Sequence, residues 1–171
     1  MGERETTCCF TGHRPTKLPW GYRENDPRCL ALKARLRAAV EAAYDRGMRH
    51  FICGMAQGCD FYFCEAVLQL RADHAGVTLE AAIPCPDQCS RWPDWQKERY
   101  RRLVSLCDVK TVICPAYSPV CMQERNAYMV DHAGMLLAVS DGLPGGSAST
   151  VAYARAQGLE IVCLPSVLPA R

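Results

Sequence analysis

The stretch Asp141-Gly142-Leu143-Pro144-Gly145-Gly146-Ser147-Ala148-Ser149-Thr150 follows the apolar run Met135-Leu136-Leu137-Ala138-Val139 and leads into residues of helical spacing. A strand that runs into consecutive glycines and then opens a helix with small hydroxyl residues leaves backbone N–H groups free. It also sets the positive end of a helix dipole at the turn, with no side chain in the way of an anion. The predicted guest is a phosphate, held by Gly145, Gly146, Ser147 and Ser149, with Thr150 expected among the ligand-binding residues. Glycine-rich turns are also plain connections, so the turn alone leaves both readings open.

Working outward, the same strand–glycine–helix order recurs. Short β-prone runs at 6–11, 50–53, 78–83, 110–114, 135–139 and 160–164 read as buried strands, each stopped by Gly or Pro or leading into a turn. Between them, helical spacing covers 29–46, 61–73, 95–106, 123–133 and the stretch from the glycine turn to Gln157. This alternation predicts an α/β domain: a three-layer sandwich whose mostly parallel sheet of about six strands is covered on both faces. One domain over 1–171, with its core at 6–165, is expected. Right-handed crossovers would bring the loops after the first five strands to one carboxyl rim. The loop 12–28 is long for a structureless connection, which predicts a functional loop or lid.

A chain of 171 residues, 49% hydrophobic and 22% charged, is ordinary for a soluble globular protein, and a net charge of +2 does not favour a polyanion or a membrane surface. No apolar stretch reaches the ~18 residues of a membrane span, and the start is charged, so a cytoplasmic location and no membrane partner are expected. The twelve cysteines fall in strand-like runs (Cys8, Cys9, Cys53, Cys114, Cys163) or on helix faces (Cys64, Cys107) and read mostly as core thiols. With no Cys-x-x-Cys pair, no metal site is expected. A P-loop lysine, a His-Glu-x-x-His and a dinucleotide fingerprint are all absent, so no cofactor is expected either.

At the rim, Thr11-Gly12-His13-Arg14 combines a hydroxyl, a close-approach glycine, an imidazole and a guanidinium. Arg14 suits a phosphate or a surface acid; His13 suits proton transfer, a phosphate oxygen or packing on Trp20. In the turn from Gly54 through Ala56 and Gly58 to Asp60, the carboxylate is either a helix cap or a ribose contact. Glu124, Arg125 and Asn126 open a helix near the rim, facing either a pocket or solvent. Trp92 and Tyr22 would stack on a base or cover the core. Asp141 would bind a hydroxyl or cap its turn. His13, Asp60 and Glu124 are the candidate acids or bases if the site is catalytic.

Together, Thr11-Gly12-His13-Arg14-Pro15, Gly54-Met55-Ala56-Gln57-Gly58-Cys59-Asp60, Pro84 with Gln88 and Trp92, Cys107-Asp108-Val109, Arg125-Asn126 with Tyr128 to Asp131, and Asp141-Gly142 before Gly145-Gly146 resemble the YpsA-like branch of the SLOG (Smf/DprA and LOG) superfamily. The resemblance spans about 6–165. It implies a Rossmann-like fold with a rim pocket for a nucleotide or nucleotide-derived ligand, and a role as a ligand sensor linked to cell division or stress in Gram-positive bacteria. LOG phosphoribohydrolases carry Pro-Gly-Gly-x-Gly-Thr-x-x-Glu. Here Pro144, Gly145 and Gly146 match, but Ala148, Ser149 and Ala152 replace the third glycine, the threonine and the catalytic glutamate. The resemblance therefore implies binding more than hydrolysis, with cleavage of an N-glycosidic or phosphate bond as the alternative. DprA-like relatives bind single-stranded DNA and carry a turn that Cys53 to Asp60 resembles, with Gln57 here in place of the usual basic residue. Nucleic acid is a weaker expectation than a small molecule, and pairing into a homo-oligomer is a further one.

Overall fold

The strand Thr7–Thr11 (β1) carries no charge and is buried along its whole length, because it has a parallel neighbour on each side and helices on both faces. The computed structural model describes residues 3–170, so the expected domain limits at Met1 and Arg171 lie outside the described residues. In chain order the elements are β1, α1 (Pro27–Asp45), β2 (His50–Cys53), α2 (Cys59–Asp73), β3 (Thr78–Ile83), α3 (Asp94–Leu106), β4 (Val109–Val112), α4 (Cys121–Asp131), β5 (Met135–Val139), α5 (Gly146–Ala156) and β6 (Glu160–Leu164). All six strands pair in parallel in the order β4-β3-β2-β1-β5-β6. The registers Cys8↔Phe51 and Thr11↔Ala138 set β1 against its two neighbours.

The two-residue side-chain period of β1 divides the core. Cys8 and Phe10 join α1 and α2 side chains such as Leu32, Leu36, Val40 and Phe63, with the Phe10 and Phe63 rings stacked 4.6 Å apart. Cys9 faces the other layer, with Met129 and Val130 of α4 and Val151 and Ala154 of α5. Helix α1 starts two residues before its apolar spacing does, because Asp26 accepts the Arg28 N–H as N-cap and Pro27 is preset for the first turn.

Two expectations need correction. Strands β4 and β6 are not buried, since each is an edge strand with one neighbour: β4 is mostly exposed and shorter than 110–114, and no residue of β6 is fully buried. Cys163 on β6, at the other edge, is exposed rather than a core thiol. All twelve cysteines are free, nine of them buried. The long loop after β1 is pinned rather than open. It contains a 3-10 turn at Pro15–Lys17, and Trp20 is buried with its indole N–H donating to Tyr62 Oη at 3.1 Å. Among the described residues no helix is long and apolar enough to cross a membrane.

Candidate functional site

Strand order reverses between β1 and β5: the chain moves outward through β2, β3 and β4, and α4 then carries it back over the sheet to β5. Adjacent strands whose connections leave in opposite directions open a crevice at their carboxyl ends. A cleft of about 360 Å³ lies there, lined from β1 by Thr11 to Arg14, from α2 by Asp60, from α4 by Arg125 and Asn126, and from α5 by Gly146 and Ser147.

The helix α5 presents its N-terminus to this cleft without a side-chain cap. Its ladder begins with the Ser149 N–H on the Gly145 carbonyl, so the three preceding amides have no intrahelical acceptor. A Cβ built on Gly146 would meet nothing within 4 Å, which leaves the helix end open to a ligand. Beside it stands Lys17, whose Nζ would be 2.5 Å from a Cβ on Gly145. Among the described residues neither Lys17 nor Arg14 has an ion-pair partner, so two cations flank an uncapped helix end.

Across the cleft, Arg125 is buried and forms no ion pair among the described residues. Its Nη1 donates to the Gly54 carbonyl and, at 3.4 Å, to that of Ala82, while Nε donates to Asn126 Oδ1 at 2.9 Å. Burial pulls its pKa down, with Asp60 the main opposing charge. The Asp60 carboxyl is itself buried. Desolvation pushes its pKa up despite the Arg125 charge and the Ala56 N–H donated to Oδ2 at 2.9 Å. Oδ2 is thus committed to the turn, and Gly58 rather than Asp60 is the N-cap of α2. Gly58 needs its positive φ of 86°, and a Cβ there would come within 2.7 Å of the His13 carbonyl oxygen, so the two turns are packed backbone against backbone.

His13 is buried, and its Nε2 lies 3.0 Å from Asp141 Oδ2 rather than its ring packing on Trp20. Asp141 is held in turn by Ser166, whose N–H reaches Oδ1 at 2.8 Å and whose hydroxyl donates to Oδ2 at 2.7 Å. Burial would raise this carboxyl, but the two Ser166 bonds and His13 outweigh it and hold the pKa below the ordinary value. His13, Lys17 and Ser147 also line a second cavity of about 290 Å³ with Asp141, Leu143, Pro144 and Ala148, so these three residues form the waist between two lobes.

Of the residues picked out in sequence, Thr11, Gly12, His13, Arg14, Ala56, Asp60, Arg125, Asn126, Asp141, Gly145, Gly146 and Ser147 line one lobe or the other. Gly54 and Gly58 stand behind the lining, against Arg125 and His13. Ser149 lines neither lobe, and Thr150 is buried with its hydroxyl on the Gly146 carbonyl one turn back. Glu124 also lies outside, accepting from Cys114 Sγ at 2.8 Å. The loops after β3 and β4 stay off the rim itself: Gln88 donates to the Gly54 carbonyl, and Trp92 packs on Phe61 and Tyr100. Tyr22 sits edge-on to Trp95, with its hydroxyl on Gln57. Sequence reasoning missed Lys17 and Ser166. Lys17 stands one 3-10 turn after Arg14, a spacing that puts both on one side of the loop, whereas nothing near Ser166 signals its role. Among the described residues no group of three or more His, Cys, Asp or Glu side chains is placed to hold a metal ion.

An all-parallel α/β sheet with a cleft at its switch point is a Rossmann-like domain. The chain belongs to the YspA SLOG family, which it matches over residues 8–159. The SPbeta prophage-derived protein YoqJ of Bacillus subtilis strain 168 is 31% identical over 143 residues, covering 76% of this chain and 84% of that protein. A UPF0398 protein of Bacillus pumilus is 26% identical over 139 residues, covering 80% and 74%. In fold the chain is similar to DNA processing protein A of Streptococcus pneumoniae, with a TM-score of 0.62 and 12% identity. That likeness covers 99% of this chain and 52% of the other, so this chain spans about half of that protein's length. The protein TM1055 is similar at a TM-score of 0.55 and 14% identity, over 91% and 72%.

Proposed function

We propose that this chain binds a nucleotide or nucleotide-derived small molecule through its phosphate, at the carboxyl edge of the sheet. One observation carries the reading: the uncapped N-terminus of α5, two cations without ion-pair partners and a buried guanidinium converge on one cleft. An anion is what such a convergence stabilises. The phosphate lies on Gly145, Gly146 and Ser147 beside Lys17 and Arg14, and the sugar or base extends toward Asp60 and Asn126. The volume of about 360 Å³ falls in the ~300–1,000 Å³ range of small-molecule sites. The setting is the cytoplasm, with two copies paired as a homodimer.

The test is a thermal-shift screen of the purified protein with nucleoside mono-, di- and triphosphates, ADP-ribose, dinucleotides and short single-stranded DNA, followed by calorimetry on each compound that shifts the midpoint. A ligand at ~100 times its dissociation constant adds ~2.7 kcal/mol, which moves the midpoint by a few degrees. The reading requires that Arg14→Ala combined with Gly146→Asp weakens binding. Unchanged affinity in that variant overturns it. A steep salt dependence with DNA alone would favour the nucleic-acid reading, which the fold shared with DNA processing protein A motivates.

A further inference from the structure

The cleft contains more than anion binding requires. His13 projects into the waist between the two lobes, with Nε2 bonded to Asp141, and Nδ1 has no hydrogen-bond partner among the described residues. Asp141 is itself fixed at both oxygens by Ser166. If the purpose were only to tie the end of β5 to the segment after β6, the Ser166 bonds to Asp141 would suffice. If it were only to attract an anion, the carboxylate behind the ring would work against it. A buried imidazole on the wall of a cleft, fixed through one nitrogen by an anchored carboxylate and with its other nitrogen unpartnered among the described residues, is an arrangement for moving a proton.

We propose that the cleft hydrolyses a phosphate monoester, with His13 as the catalytic base and with Asp141 and Ser166 as positioning residues. The inference rests on the phosphate-binding reading above. The class of bond follows from where the imidazole stands. His13 shares the waist with Lys17 and Ser147, beside the helix end that takes the phosphate, so the reacting bond belongs to the phosphate itself rather than to a glycosidic carbon further along the ligand. At the position where a LOG hydrolase carries its glutamate, α5 has Ala152.

In the reaction a water oxygen forms a bond to phosphorus while the bond from phosphorus to the ester oxygen breaks, its electron pair leaving with that oxygen. His13 Nδ1 takes a proton from the attacking water, the leaving oxygen on the opposite side of phosphorus takes its proton from solvent water, and the imidazolium then gives its proton to solvent. The products are an alcohol and inorganic phosphate, and the imidazole is regenerated. Charge that develops on the phosphoryl oxygens falls on the free amides of α5 and on Lys17. Asp141 holds the ring in orientation and stabilises the imidazolium, and Ser166 keeps Asp141 from turning away.

The experiment uses the full chain with 4-nitrophenyl phosphate and nucleoside monophosphates as substrates, reading released phosphate, while binding of inorganic phosphate is measured separately by calorimetry. Turnover is expected, with kcat falling about 100-fold or more in His13→Ala and recovering in part with added imidazole. His13→Gln, which keeps the side-chain volume, serves if the alanine variant does not fold. Ser166→Ala is expected to lower kcat about tenfold at unchanged KM, and Ser166→Thr to restore it. Phosphate binding without phosphate release above the buffer blank overturns the inference and leaves the binding reading intact. Release that persists at the wild-type rate in both His13 variants also overturns it. Absence of both binding and release defeats the two readings together.

Discussion

His13 and Asp141 are 128 residues apart in the chain and meet at 3.0 Å between Nε2 and Oδ2. The pair joins the ends of β1 and β5, the two neighbouring strands whose connections diverge, and so spans the mouth of the crevice. Because Ser166 holds the carboxylate from beyond β6, three strand ends are tied together at the place where the cleft opens.

Gly146 offers the cleanest test of the proposed phosphate site. No atom lies within 4 Å of a Cβ there and φ is ordinary, so Gly146→Asp fits sterically, and an acid in the first turn favours the helix. The expected outcome is a melting midpoint within a few degrees of wild type together with at least a tenfold loss of affinity for a phosphate-bearing ligand, measured by calorimetry.

Gly58 tests the packing of the two turns. Gly58→Ala forces a side chain into a positive φ and toward the His13 carbonyl and the Pro15 ring, at 2.7 and 3.0 Å. A loss of roughly 2 kcal/mol or more in urea unfolding is expected. A variant as stable as wild type would show that the turns separate easily.

Glu80 governs part of the acid stability. It is buried on β3 and accepts from His50 Nε2 at 2.7 Å, Tyr128 Oη at 2.6 Å and Thr111 Oγ1 at 2.7 Å. Burial alone would raise its pKa; the bonds from His50, Tyr128 and Thr111 outweigh this and lower it from 4.5 to about 2. A depressed carboxyl stabilises the fold above the unfolded-state pKa and loses that contribution as pH falls through the folded one. Glu80→Gln is therefore expected to cost on the order of 2–3 kcal/mol at pH 7, and the gap to wild type should close between about pH 4.5 and pH 2. Urea titrations across that range measure it.

Cys163 should dominate thiol chemistry in the native state. It is the exposed cysteine, Cys89 and Cys107 are half-buried, and the other nine are buried. With a disulfide reagent, one fast equivalent is expected in the folded protein and twelve after denaturation, with Cys163→Ser abolishing the fast phase.

Much of this architecture is legible along the chain, because strands buried between helices must be apolar and short and must stop at glycine or proline. The runs His50–Cys53, Thr78–Ile83, Met135–Val139 and Glu160–Leu164 fall at the residues where those signals place them. Edge position leaves a weaker mark: Val109–Val112 and Glu160–Leu164 are as β-prone as the central strands, and only their places at the two ends of the sheet expose them. The glycine turn before α5 is readable because backbone freedom and small side chains are local properties.

Residue order along the chain is therefore enough for the alternation of elements, the rim to which their loops belong and the residue types able to meet an anion there. Packing selects which of them share the cleft. It turned Thr150 inward and left Glu124 outside, brought Lys17 against Gly145, and set Ser166 on Asp141 and Asp141 on His13. The difference is one of range. Propensity, capping and turn chemistry act over a few residues, whereas the direction of a side chain and the partner it meets depend on strand order, and strand order is settled by how the whole sheet packs against its helices.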